Sequence, residues 1–327
     1  MANIKDVAEK AGITVTTVSR ILNNRGYISE NTRKRVYDVM AELNYHPNEV
    51  ARSLFKKRTN IVGMVIPDIS HPFYSWLAKY IEIELYAQGF KMMLCNAIET
   101  SNREKEYLNM LQRNQVDGIL NGSHTLDLQE YAKVGLPVVA IDRDLGETIP
   151  IVSSNHPEGG RLAAQKLIEC GCKKVAQIMG YSHVKTPSNE RHISFSEEMK
   201  NHGISCITTE LKWNQFEFDD YSASIKSLLD MNPDIDGIFA VDLVAAAVMK
   251  EALQRGTRVP EDLKIVGYDG TYVSEVVTPT ITTIRQPVPE LAKCCVEIML
   301  KLINNETIEK HHTMLDVELV EGFSTTR

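Results

Sequence analysis

Carboxylates and guanidinium groups at the ends of apolar runs are the residues of this 327-residue chain that could act on a small polar molecule. Asp142 and Arg143 follow the run Pro137–Ile141, Asp242 ends Gly237–Val241, and Asp269 follows Lys264–Tyr268. An ionised carboxylate accepts from two neighbouring hydroxyls and an arginine donates in a fixed fork, a pairing suited to a polyol. Aromatic faces suit the apolar side of a sugar ring. Phe73 and Tyr74 lie beyond the run Ile61–Ile66, and Arg191, Trp213 and Phe216 are further candidates. A single Asp at such an end is as often a turn former or a helix cap; the set at equivalent ends favours a ligand. A second chemistry is phosphate binding. Arg33, Lys34 and Arg35 cluster near the start of one helix-length segment, and Lys56, Lys57 and Arg58 follow a shorter one. Such clusters neutralise a nucleic-acid backbone, or else form a solvated face.

The elements that position these groups begin at Ile4. The run IKDVAEKAGITVTTVSRILN has the spacing of a helix-turn-helix. Ala8 sits where two helices pass closely, and Gly12 where the chain turns sharply. Thr14 caps the second helix, and Ile4, Val7, Val15, Val18 and Ile21 occupy fitting apolar positions. An ordinary helical hairpin is the alternative. A third helix follows, with Ser29 and Thr32 at its start and Val36, Met40 and Leu43 as its stripe. Pro47 then ends the preceding segment, Asn48 can cap a new one, and a helix of two turns is expected from about Glu49 to Phe55. So short a helix is unstable alone and needs another chain, DNA or both. Val50 and Leu54 share a face with Ala51 beside them, which fits a wedge in a minor groove; a plain linker would not need Leu54 or Phe55.

From Ile61 onward, apolar runs alternate with amphipathic segments. Strands are expected at Ile61–Ile66, Lys91–Asn96, Gly118–Asn121, Pro137–Ile141, Lys174–Met179, Ile207–Leu211, Gly237–Val241 and Lys264–Tyr268, with helices such as Ser75–Gln88, Arg103–Gln112 and Pro157–Glu169 between them. That alternation means parallel sheets with helices on both faces. The pairs VDGIL at Val116 and IDGIF at Ile235, and VVAIDRD at Val138 and KIVGYDG at Lys264, point to two similar lobes with a cleft between them.

The net charge of −7 is unevenly spread: residues 1–60 hold 11 Lys and Arg against 6 Asp and Glu, the remainder 25 against 37. A basic head on an acidic body is expected. Cys95, Cys170, Cys172, Cys206, Cys294 and Cys295 form no CxxC pair and have no His at ligand spacing, so no metal is expected and most read as buried reduced thiols. His311 and His312 read as a solvated or strand pair. No run has the length of a membrane span, and no signal peptide precedes Ile4; a cytoplasmic, nucleoid-associated location follows. No GxGxxG follows the first strand, and GxxxxGK[ST], GxSxG and HExxH are absent, which leaves no catalytic residue or cofactor and disfavours an enzyme.

The stretches IKDVAEKAGITVTTVSR, ARSL at Ala51–Leu54, GMVIPDISHPFY at Gly63–Tyr74, QVDGIL at Gln115–Leu120 and IVGYDG at Ile265–Gly270 resemble the LacI/GalR family of bacterial transcription repressors over essentially the whole chain. SHPFYSWLAKYIEIELYAQGF and IDRDL at Ile141–Leu145 are most similar to the sucrose-operon and ribose-operon members. The resemblance implies an N-terminal all-α helix-turn-helix head plus hinge helix, and an α/β two-lobed body of parallel sheets like a periplasmic sugar-binding protein. It implies that Val15 and Thr16 read base edges, Arg20 a guanine, and Thr17 and Ser19 phosphates, while Asn48, Ala51, Arg52 and Leu54 contact DNA from the hinge, Leu54 as the wedge at a central CG step. It implies that Phe73, Tyr74, Asp142, Arg143, Arg191, Asp242, Asp269 and Gln286 line an effector cleft, with Trp213 or Phe216 stacking on the sugar. The departures are VDLVAAAV around Asp242, RHISF with Ser194 where Gly is usual, and Gly322 where Arg is common; the first two leave the exact ligand open.

The expected division is 1–46 for the head, 47–59 for the hinge and 60–327 for the effector and dimerisation domain, with lobes 60–158 plus 287–318 and 159–286 plus 319–327. A homodimer on a pseudo-palindromic operator, through the helix near Ser75–Gln88 and the segment Pro287–Ile303, is the expected assembly. A sugar or sugar phosphate is the expected effector, and the partners are operator DNA and a second copy, without a membrane. A repressor answering to a protein co-regulator and a sugar-binding protein that does not touch DNA are the alternatives.

Overall fold

The computed structural model describes residues 2–46, 58–97, 101–124, 126, 130–131, 133–181, 186–212 and 218–326. It divides into two compact units, Met1–Thr59 and Asn60–Arg327. In the first, helices α1 (Ile4–Lys10), α2 (Val15–Leu22) and α3 (Glu30–Glu42) surround a small core of Val7, Ala8, Val18, Ile21, Val36 and Met40. Each helix starts on a side chain that satisfies backbone N–H groups otherwise left without partners. Asn3 and Asp6 form a reciprocal capping box, Thr14 accepts from Thr17 N, and Ser29 accepts from Thr32 N. Gly12, at φ +62°, lets the Ile13 N–H reach back to the Ala8 carbonyl and close α1. The capping role of Asn3 was not anticipated from the sequence.

The second unit holds two six-stranded sheets. The first has the order β11-β5-β4-β3-β1-β2, from β1 (Ile61–Ile66), β2 (Lys91–Asn96), β3 (Gly118–Asn121), β4 (Val138–Ile141), β5 (Ile151–Ser154) and β11 (His312–Leu315). All its pairings are parallel. The second has the order β12-β10-β9-β8-β6-β7, from β6 (Lys174–Met179), β7 (Ser205–Glu210), β8 (Gly237–Phe239), β9 (Lys264–Asp269), β10 (Thr282–Arg285) and β12 (Glu318–Val320). The central strands are buried on both faces, which is why they read as continuous apolar runs. Helices α4 (Pro72–Ala87) and α11 (Val288–Ile303) pack together on the first sheet through Leu77, Ile81 and Leu85 against Leu291, Cys295 and Met299. Each such buried side chain contributes roughly 1.5–3 kcal/mol. These two helices, expected as dimer surfaces, therefore give their apolar stripes to the lobe's own core, and only outward residues such as Ile83 and Tyr86 of α4 are exposed.

Helix α6 (His156–Glu169) packs on the second sheet, so the chain first changes lobe at Asn155, returns near Gln286 and Pro287, and crosses again at Asp316 and Val317. One strand departs from the parallel expectation: β12 runs antiparallel to β10. The two-residue connector after β11 delivers the chain to the cleft-side ends of the second sheet, so β12 must run away from the cleft, against its neighbours. A parallel entry would need a long crossover. Helix α4 begins three residues earlier than the sequence suggests, with Pro72 in its first turn, where a missing N–H costs nothing.

Candidate ligand-binding cleft and DNA-reading head

In parallel α/β sheets the carboxyl ends of the strands build the site, because the loops there open between the covering helices. The residues just beyond β1, β3, β4, β6, β7, β8, β9 and β10 together line one cavity of about 160 Å³ between the two sheets. It gathers Phe73, Tyr74, Asp142, Arg191, Asp269 and Gln286. Asp142 comes from the first lobe, at φ +49°, and Asp269 from the second, at φ +106°. Non-glycine residues avoid this region, and such strain, of order 1–3 kcal/mol, collects at functional sites.

Two polar bridges span the lobes behind the cavity. His156 is 1% exposed, with Nε2 2.8 Å from Asp142 Oδ1 and Nδ1 2.7 Å from the Tyr268 hydroxyl. The carboxylate can only accept, so Nε2–H donates to it, and Nδ1 pairs with the Tyr268 hydroxyl. Gln286 accepts from Ser154 Oγ at 2.7 Å and donates from Nε2 to Asp269 Oδ1 at 2.8 Å. The Arg191 guanidinium lies over the Tyr268 ring, 4.4 Å from its centroid, and its Nε–H donates to His192 Nε2. His192 Nδ1–H in turn donates to Gln177 Oε1 at 3.0 Å. Gly160 makes this placement possible: a Cβ there would lie 2.0 Å from the Arg191 carbonyl oxygen, so α6 meets helix α7 (Glu190–Asn201) at backbone distance.

The electrostatics follow from burial. His71 and His124 are pushed down to about 4 by desolvation, aided by the charges of Arg191 and Arg143 respectively. His192 is held well below its ordinary value by desolvation and by Arg191. All three rings are neutral at neutral pH. Burial raises Asp269, against the pull of Arg191 and the Gln286 hydrogen bond. Desolvation also raises the Tyr74 hydroxyl, aided by the nearby Asp142 and Asp269 charges.

Two residues expected in the cleft are placed elsewhere. Arg143 is 8% exposed and turned into the first lobe, where it donates to the Ser123 carbonyl, approaches Glu104 Oε1 at 3.6 Å and lies over the Tyr131 ring. Glu104, fully buried, also accepts from Ser123 Oγ and the Tyr131 hydroxyl, so the guanidinium answers a buried carboxylate and not a ligand. Asp242 is 1% exposed; its Oδ2 accepts from Thr271 N and Oγ1 at 2.6 and 2.9 Å and its Oδ1 from Thr283 Oγ1 at 2.6 Å. Three donors occupy it, and it ties the loops after β8 and β9 to β10. Trp213 and Phe216 lie outside the described residues, whereas Tyr221 lines the cavity. Sequence reasoning missed His71, His124 and His192. The signal for the first was available: it stands in the loop after β1, directly before Pro72. Among the described residues no cluster of His, Cys, Asp and Glu is placed to hold a metal ion.

In the head, Val15, Thr16 and Arg20 are exposed on α2, opposite the buried Val18 and Ile21. Thr17 Oγ1 lies 2.9 Å from the Thr14 hydroxyl, and Ser19 accepts from Asn23 Nδ2 at its carbonyl, at 2.8 Å, and at Oγ. Asn48, Ala51, Arg52 and Leu54, with the expected hinge helix, lie outside the described residues.

The sequence matches the bacterial regulatory proteins of the lacI family over residues 3–48 and a periplasmic binding protein-like domain over residues 164–325. The sucrose operon repressor of Streptococcus mutans is 41% identical over 325 residues, covering 99% of each chain. The chain belongs to the lacI family. The ribose operon repressor of Halalkalibacterium halodurans is 37% identical, covering 98% of this chain and 96% of that one. Among solved structures, the Lac repressor dimer bound to operator and the anti-inducer ONPF superposes with a TM-score of 0.87 at 25% identity, covering 99% of both chains. A periplasmic binding protein/LacI transcriptional regulator from Alkaliphilus metalliredigens, complexed with D-xylulofuranose, superposes at 0.76 with 31% identity, covering 82% of this chain and all of that one. The head is thus the family's helix-turn-helix domain and the body its periplasmic-binding-protein-like domain. Among the described residues, no helix is long and apolar enough to cross a membrane.

Proposed function

We propose that this protein is a sequence-specific repressor of a sugar-utilisation operon, whose hold on DNA is controlled by a sugar or sugar phosphate in the cavity between its lobes. The observation that carries this is the cavity itself: Asp142 and Asp269 face it from opposite lobes beside Arg191, Tyr74 and Phe73, in a family of DNA-binding regulators. Carboxylates from both lobes accept hydrogen bonds from the hydroxyls of one ligand, so ligand binding favours one lobe arrangement over another. The repressor names of the relatives favour a regulator over an enzyme. The working unit is a cytoplasmic, nucleoid-associated homodimer on a pseudo-palindromic operator. Residues 1–46 read DNA through Val15, Thr16, Thr17, Ser19 and Arg20. Residues 47–59 supply the hinge and its Leu54 wedge, and residues 60–327 hold the effector.

Fluorescence anisotropy on labelled palindromic duplexes with a central CG, at several salt concentrations and with a panel of sugars, tests this. The expected result is steep salt dependence, preference for one duplex and release by one sugar. Duplex binding that no sugar or sugar phosphate alters would shift control to a protein co-regulator, and no binding to any duplex would overturn the repressor reading.

A further inference from the structure

Given the sugar-effector reading above, on which this step rests, we infer that Gln177 is a positioning residue: from behind the cavity, and through His192, it fixes the way the Arg191 guanidinium is turned toward a ligand. Gln177 lies in β6, which pairs with β7 on one side and β8 on the other. It is 2% exposed, and an amide is tolerated there only when its polar atoms have partners. Both do. Nε2 donates to Ser196 Oγ of α7 at 2.7 Å and to Thr208 Oγ1 of β7 at 2.9 Å, and Oε1 lies 3.0 Å from His192 Nδ1. His192 Nε2 in turn meets Arg191 Nε. Arg191 and His192 line the cavity, whereas Gln177 is not part of its lining.

The polarity of this chain is set from its cavity end. An arginine can only donate, so His192 Nε2 must be bare in order to accept from Nε–H. A neutral ring with a bare Nε2 carries its proton on Nδ1, and that proton needs an acceptor, which is Gln177 Oε1. The amide is thereby oriented, with its N–H groups toward the two hydroxyls. With the amide reversed, its N–H would meet the ring at Nδ1 and drive the ring proton to Nε2, against the Arg191 N–H. A second proton on the ring would do the same and add a charge beside the guanidinium; burial and Arg191 both oppose it. Packing holds the ring in place. Its centroid is 5.5 Å from that of Phe239, which stacks on Phe195 at 4.7 Å.

What the relay adds at Arg191 is direction. Lying over the Tyr268 ring, 4.4 Å from its centroid, fixes where the guanidinium sits, but attraction to a ring face does not fix how the group is turned above it. The bond from Nε–H to His192 removes that freedom and directs the terminal N–H groups away from His192. An arginine ordered before the ligand arrives has less rotamer freedom to lose on binding. Folding alone does not call for such a chain, because an apolar pair of the same shape would be about as stable.

Two measurements on the full chain test this. The first needs neither ligand nor variant: long-range proton–nitrogen correlation spectra of protein labelled with nitrogen-15 in histidine, with His192 assigned through its contact with the Phe239 ring. The neutral Nδ1–H tautomer is expected at neutral pH. The Nε2–H tautomer or an imidazolium would overturn the relay. The second is isothermal titration calorimetry with free pentoses and hexoses, sucrose and their phosphate esters. It compares the wild type, Gln177→Leu/His192→Leu, Arg191→Met and all three changes together. The leucine pair is expected to keep a urea midpoint near that of the wild type and yet to bind the recognised sugar about tenfold more weakly. With Arg191→Met already in place, the same pair is expected to change affinity by less than about twofold, because Gln177 and His192 act through Arg191. Wild-type affinity in the leucine pair, or a further tenfold loss beyond Arg191→Met, would overturn the positioning role and leave the sugar-controlled repressor intact. Absence of binding by every saccharide to the wild type would overturn the effector reading, and with it the relay's purpose, whatever the tautomer.

Discussion

At the residue scale, the cavity shows how little of an ionisable side chain's role lies in its type. Asp142, Asp242 and Asp269 all stand at carboxyl ends of strands, yet Asp242 is consumed by Thr271 and Thr283 while the other two face the cavity. Replacing Asp242 by Ala strips the partner from three buried donors and is expected to destabilise the body by about 3 kcal/mol, read as a lower urea midpoint. Asp269→Asn leaves the fold and is expected to weaken the sugar by about 2 kcal/mol, roughly thirtyfold, in calorimetry. An unchanged affinity would make Asp269 a purely structural group. Acid acts on the same residue. Burial raises its pKa, so the ionised acceptor is present above the raised value and lost as pH falls through it. Sugar affinity therefore falls on acidification at a higher pH than an ordinary aspartate would dictate, and Asp269→Asn flattens that profile.

At the scale of elements, precision comes from close backbone approach. The Gly159–Gly160 pair lets α6 lie against Tyr268 on one side and against the Arg191 backbone on the other. Gly160→Ala places a methyl where the Arg191 carbonyl stands, and a carbonyl in a helix cannot rotate aside. The expected outcome is a loss of about 2 kcal/mol in stability together with a weaker sugar response, because Arg191 moves with its helix. Stability lost with no change in sugar affinity would uncouple the helix contact from the site. The helices of the head are governed more locally. Their caps at Asn3, Thr14 and Ser29 lie within three residues of the N–H groups they satisfy. That proximity is why the caps at Thr14 and Ser29 were readable from sequence, although the one at Asn3 was not anticipated. Strands such as Ile151–Ser154 and Thr282–Arg285 were not readable. They are four residues long and rich in hydroxyls, and their burial comes from neighbouring strands and not from their own composition.

At the scale of the whole molecule, the chain crosses between lobes three times, and the bridges at His156 and Gln286 lie beside those crossings. They tie Asp142 and Ser154 of one lobe to Tyr268 and Asp269 of the other. A ligand that engages the two aspartates would thus be linked to the interlobe hydrogen bonds. His156→Phe leaves the half-buried Asp142 carboxylate and the buried Tyr268 hydroxyl without their shared partner, and is expected to weaken the sugar about tenfold and to shrink the sugar's effect on DNA binding. A full sugar effect on DNA in this variant would remove His156 from the coupling. Coupling is also reciprocal: a sugar that lowers operator affinity by a given factor must lose the same factor in its own affinity for the operator complex. Titrating the sugar into free protein and into the operator complex checks this. Unequal factors would mean that more than one equilibrium is being read.

The amino-acid sequence by itself determined what depends on neighbours a few residues away. The helix-turn-helix spacing, the caps, the eight long apolar runs and their alternation with helices, and the location of polar residues at strand ends are local patterns, set by the 3.6 and 2 residue periods and by capping within one turn. Only the tertiary structure decided which strand-end groups meet. Arg143 turns to Glu104 and Tyr131, and Asp242 to donors 29 and 41 residues away. Histidines at positions 71 and 192, far apart in the chain, come to share one cavity. Those outcomes depend on sheet order, on the left-handed backbone at Asp142 and Asp269, and on the desolvation that packing imposes, none of which a linear pattern encodes.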